Sequence, residues 1–147
     1  MKKQFPALLL ALGLLLSIPA QAAQTAGFAR SRTYAGEFSD VAPDSVFHDN
    51  VAALYEYGLT NGKGDGTFGP GDSITVGQAV IFAGRVRGLY RTGDPEAGPA
   101  AYGGDGGPAA LPYLRYLQAE EVLDQALDGV LAAPATRAQM AHVLANV

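Results

Sequence analysis

Two four-residue segments spaced sixty-one positions apart constrain this chain more than anything else in it: Thr75-Val76-Gly77-Gln78 and Thr136-Arg137-Ala138-Gln139. Both have the form Thr-x-x-Gln, in which the hydroxyl accepts from an early helix amide and the glutamine side chain reaches back to the cap residue. An apolar stripe of period 3.6 follows each one. Ala79, Val80, Phe82, Ala83, Val86 and Leu89 make the first, running to about Tyr90; Met140, Val143, Leu144 and Val147 make the second. A helix is expected before each box as well. Phe47, Val51, Leu54 and Tyr55 recur at spacings of three and four, with Gly58 placed to end the helix in a left-handed cap. In the later segment LPYLRYLQAEEVL, Leu114, Leu117 and Val122 stand where Val51, Leu54 and Leu59 stood. The pattern predicts an all-α chain of two tandem helix–loop–helix repeats, residues 38–91 and a degenerate copy over 110–147. The second copy lacks the FSDV start of the first, has Glu121 in place of Gly58, and lacks the GDGTF loop. Residues 92–109, dominated by Gly, Pro and Ala, read as a linker.

The N-terminus reads as an address. Lys2 and Lys3 precede an apolar run from Phe5 to Ile18, and Ala20-Gln21-Ala22 offers the small residues of a cleavage site. The run is shorter than the roughly 20 residues of a spanning helix, so residues 1–22 are expected to be a cleaved signal peptide. The formal charge of -4 becomes -6 once Lys2 and Lys3 leave with it, and no basic cluster remains, which argues against nucleic acid as a partner. The chain has no cysteine. That excludes a disulfide framework, a thiolate metal site and a thiol nucleophile. Residues 23–37 show no sustained period and read as a flexible lead-in.

Between the first two expected helices lies NGKGDGTFGPGD, residues 61–72, with five glycines. On a twelve-residue calcium loop it would place Asn61, Lys63 and Asp65 at the first three ligand positions and Asp72 at the last. Lys63 sets an ammonium among the ligands, and the last position wants the longer Glu. No Gly-Lys-Ser/Thr follows for a phosphate loop. The expected role is structural: Gly62, Gly64 and Gly66 permit positive φ, Phe68 enters the core, and Pro70 stiffens the exit toward Thr75.

The succession FSDV, helix, Gly58-Leu59, Asn61-Gly62, GDGTFGPGD and Ile74-Thr75 resembles an S-layer homology repeat, and TRAQ at 136–139 resembles that family's TRAE-type signature. The resemblance covers about fifty residues of the first unit, and of the second only its final helix. It implies a helical bundle, usually of three repeats, that binds secondary cell-wall polysaccharide non-covalently, often through pyruvylated sugars. The glycan-binding candidates it marks are Arg137, Thr136, Asp40, Asn61 and Gly62. Arg137, just after the Thr136 cap, would join a forked guanidinium to free amides at a helix N-terminus, which suits a carboxylate. Asp40 is expected either to cap the first helix or to touch ligand. The first unit departs from the pattern at Val76, where the signature arginine belongs; restoring it as Val76→Arg is expected to strengthen binding. Val46 stands about where the family's tryptophan falls.

Catalysis finds little support. His48 and His142 are the only histidines, and Glu120, Glu121, Asp124 and Asp128 are spaced as a solvated face rather than as a cleft pair. No enzyme activity, metal or cofactor is expected. The expected setting is the secreted, cell-wall-associated fraction. The chain ends at Val147 inside its last expected helix, so a third repeat is absent and either a second copy or another envelope protein is expected to complete the bundle. The alternative is a degenerate pair acting as an interaction module without glycan binding.

Overall fold

The computed structural model describes residues 28–104 and 106–147; the signal peptide expected at 1–22 lies outside them. Among the described residues five helices follow one another: α1 His48–Glu56, α2 Val76–Thr92, α3 Ala97–Ala100, α4 Leu111–Ala119 and α5 Arg137–Leu144, with a 3-10 turn at Gln125–Leu127 before the last. Among the described residues the only ladder-type pairing is an isolated antiparallel bridge between Thr75 and Pro134. The fold is all-α.

Both Thr-x-x-Gln segments are complete capping boxes. Thr75 Oγ1 accepts from the Gln78 amide while Gln78 Oε1 accepts from the Thr75 amide, and Thr136 and Gln139 do the same. The ends of the helices that precede them also correspond. At the end of α1 the amides of Gly58, Leu59 and Thr60 donate to Tyr55, Leu54 and Leu54; at the end of α4 those of Glu121, Val122 and Leu123 donate to Gln118, Leu117 and Leu117. Gly58 makes this turn at φ +72°, and Glu121 makes it at +56°, the one positive φ of a non-glycine residue among those described. The turn forms here without a glycine, and the Val122 and Leu123 that follow it are buried. A side chain in this region costs about 1 kcal/mol. Glu121→Gly is therefore expected to stabilise the protein by about that much, read as a rise in Tm; an unchanged or lower Tm would show the turn to be unstrained.

The main core lies between α2 and α4 and is closed by Val122, Leu127 and Val143 from the second half. Gly84 explains the close approach of the two helices, since a Cβ there would come within 2.9 Å of the Tyr113 ring. The segment read as a linker carries α3. Pro99 is fully buried, and Gly98 lies flat on the Tyr116 ring, where a Cβ would collide. Glu96 adds a polar tie by accepting from Arg85 Nε and the Tyr113 hydroxyl. Glycine and proline here serve packing rather than looseness.

A second, smaller core joins Phe38, Val41 and Val51, with Tyr34, Tyr55 and Phe68 packed around them. Tyr34, from the stretch read as a lead-in, is part of it. Arg32 stacks its guanidinium 3.9 Å from the Tyr55 ring centroid and donates to the Tyr55 and Thr60 carbonyls, which ties this stretch to the end of α1.

The two halves meet at the start of α2. The Val76 and Gly77 amides donate to the carbonyls of Ala133 and Leu131 at 2.9 and 2.8 Å, and the Ala135 amide donates to Ile74. Val76 is 0% exposed. The α2 N-terminus, where sequence placed a missing anion contact, is thus filled by protein carbonyls.

Candidate functional site

The five residues singled out by sequence fall into two groups, and no hydrogen bond or ion pair among the described residues joins one group to the other. Asp40, Asn61 and Gly62 belong to the glycine-rich loop and its support. Asp40 does not cap α1, whose N-cap is Phe47 without a side-chain bond. Its two carboxylate oxygens accept instead from the Phe68 and Gly69 amides at 2.8 and 2.7 Å. Asn61 Oδ1 accepts from Arg32 Nη2, and Gly62 is required because a Cβ would strike Phe38 and the Thr67 carbonyl. Within the loop Asp65 takes the Thr67 amide and hydroxyl and Lys63 pairs with Asp72 at 2.7 Å, while the Gly66 carbonyl accepts from the Ser39 amide and hydroxyl. Phe68 packs on Phe38, as the structural reading of the loop required.

The Phe68 amide, with help from that of Gly69, holds the Asp40 carboxyl below the ordinary carboxylate range against the opposing effect of desolvation. The Thr67 hydroxyl and amide do the same for Asp65. A depressed folded-state value means that the stabilisation is present above the unfolded value of about 3.9 and is lost as pH falls through the folded one. Loop anchoring is accordingly expected to weaken below about pH 4. Asp40→Asn should lower Tm at pH 7 and flatten its acid-side dependence; a slope identical to the parent's would show that Asp40 carries none of it.

The second group is at the start of α5. Thr136 caps the helix, and Arg137 occupies its first turn, exposed and with no ion pair among the described residues. The Arg137 and Ala138 amides, equivalent in the box to those of Val76 and Gly77, have no acceptor among the described residues. A forked cation and two open amides therefore share the positive end of a helix, an arrangement that takes a carboxylate. The histidines stand elsewhere. His48 pairs with Asp49 and packs on Tyr34, and His142 pairs with Asp124. No cluster of metal-ligating side chains occurs among the described residues, and no helix there is long and apolar enough to cross a membrane.

Sequence reasoning missed Arg32, which shares Asn61 and fixes the loop's entry. Nothing periodic surrounds it; the one signal was an arginine two residues before a tyrosine in an otherwise small-residue stretch.

The first unit thus combines a capped helix, a clamped glycine-rich loop and an FSDV start whose Phe38 and Val41 are buried. Residues 37–80 match the S-layer homology domain family. Over 51 residues it is 39% identical to a cell surface protein of Thermoanaerobacter kivui, a match spanning 35% of this chain and 7% of that protein. No solved structure gives a significant match.

Proposed function

We propose that this protein is an exported, non-enzymatic module of the cell envelope that associates with the cell surface by binding secondary cell-wall polysaccharide non-covalently. The match of residues 37–80 to the S-layer homology domain carries the reading, and the surface location of the Thermoanaerobacter kivui relative supports it. In this reading residues 110–147 are a second, degenerate repeat, supported by the shared capping box and by the same three hydrogen bonds closing α1 and α4. Residues 1–22 are the export signal. The binding end is α5: its open amides and the unpaired Arg137 guanidinium would hold a ligand carboxylate, such as that of a pyruvylated sugar. The equivalent end of α2 is filled by the Ala133 and Leu131 carbonyls and takes no part. Cosedimentation with wall sacculi tests this. The protein should pellet with intact sacculi and stay in solution once the polymer is stripped from them; equal pelleting with both would sink the polysaccharide reading.

A further inference from the structure

Away from α5, two arginines on one face of α2 converge on a single oxygen atom. Arg87 and Arg91 stand four positions apart, and their Nη2 atoms lie 3.3 and 3.6 Å from Oε2 of Glu120, the residue that follows α4. Like charges at this spacing repel, and one carboxylate balances only one of them. Neither guanidinium has another hydrogen bond or ion pair among the described residues. A guanidinium is a fork of several N–H donors, so most of those here are left without a protein acceptor.

Two further groups share this neighbourhood. Arg87 Nε is buried without an acceptor, a costly state for a donor unless an ion or a water meets it. Tyr116, one turn before Glu120 on α4, is 5% exposed, and its hydroxyl makes no hydrogen bond among the described residues. Burial, and after it the Glu120 carboxylate, holds that hydroxyl above the ordinary tyrosine value, while the charges of Arg87 and Arg91 oppose the shift. The hydroxyl therefore stays protonated at neutral pH and able to donate. The way in is from the side of Arg91, whose side chain is 54% exposed against 19% for Arg87. All four residues lie outside 37–80, the stretch that matches the S-layer homology family.

We propose that Arg87, Arg91 and Tyr116 form a site for one small oxyanion, a phosphate or carboxylate group, which takes up the guanidinium and hydroxyl donors that Glu120 leaves unused. Oxyanions suit this donor set because a guanidinium meets them with charge and with paired N–H groups at once. Glu120 acts as a built-in competitor. It holds the two arginines together in the free protein and yields part of that contact to the ligand. The site is separate from Arg137 and does not rest on the polysaccharide reading.

Proton–nitrogen correlation spectra of the arginine Nε–H groups test it, with inorganic phosphate titrated in and chloride adjusted to hold ionic strength constant. The Arg87 and Arg91 signals should move together on one saturable curve in the millimolar range. Arg91→Gln should weaken binding about tenfold and Tyr116→Phe about threefold. Glu120→Gln removes the competing carboxylate and should tighten binding by about threefold or more. Arg137→Gln should leave the curve unchanged. Helical circular dichroism should match the parent throughout, since Arg91 and Arg137 are exposed and the other two substitutions keep the shape of the side chain. A purely structural ion triad predicts no saturation with phosphate and no gain in Glu120→Gln. Either result, or an Arg91→Gln protein that binds like the parent, overturns the proposal. Repeating the titration with polymer released from sacculi identifies the carrier: the same signals move if the anion is a substituent of the polymer, and only phosphate moves them if it is a free ion. Failure here leaves sacculus binding through Arg137 untouched, and failure of sacculus binding leaves the phosphate titration untouched.

Discussion

Val76→Arg is expected to lower Tm by roughly 10 °C or more, corresponding to a loss of about 3 kcal/mol or above, rather than to strengthen binding. From sequence the substitution restores a family arginine; in the fold it places a cation where the side chain is 0% exposed. Three effects act in the same direction. The valine's buried methyl groups are lost from the core cluster to which Leu114, Leu117 and Val143 also belong. The guanidinium finds no carboxylate there, because the groups facing the α2 N-terminus are the carbonyls of Ala133 and Leu131, already taken by the Val76 and Gly77 amides. A positive charge also sits at the positive end of the helix dipole. Forcing the long side chain outward would part the two halves along this joint. Thermal unfolding followed by circular dichroism measures the effect; a Tm within about 2 °C of the parent would mean that the joint opens at little cost.

The same residue marks the boundary of what could be read in advance. Both capping boxes were legible because every atom they need lies within four residues. Helix-ending Gly58 was legible because its αL turn is equally local. The buried leucines of α4 followed from helical spacing. Val76 was not legible, because whether the first residue of a helix meets solvent depends on what covers it, here a segment nearly sixty residues away. The capping role of Asp40 was misjudged for the same reason: a helix-capping aspartate and a loop-clamping one look alike until the Phe68 and Gly69 amides are seen to converge on it. At 92–109 composition gave no sign of α3 or of the close approach of Gly98 to Tyr116, because both depend on a helix more than ten residues further on. Glu121 was noticed as a missing glycine, yet only the φ of +56° shows that the turn was kept and the strain accepted.

Arg137→Ala is expected to remove most sacculus binding, by about tenfold to a hundredfold, while leaving Tm near that of the parent. The two halves of that expectation rest on different observations. Stability should hold because the side chain is exposed, makes no ion pair among the described residues, and gives way to alanine, a better helix former. Binding should fall because a charge-assisted, two-pronged contact to a carboxylate contributes about 1.5 to 3 kcal/mol, and no second arginine occupies the equivalent place in the first unit. Arg137→Lys should recover part of the loss, since an ammonium keeps the charge but not the fork, and what it recovers should shrink as salt is raised. Thr136→Ala supplies the contrast: it costs about 1 kcal/mol of helix stability and frays the amides without removing the cation, so its binding defect should track its Tm. If Arg137→Ala binds as the parent does, the carboxylate is not held at α5, and polysaccharide binding must be sought on the clamped loop of the first unit.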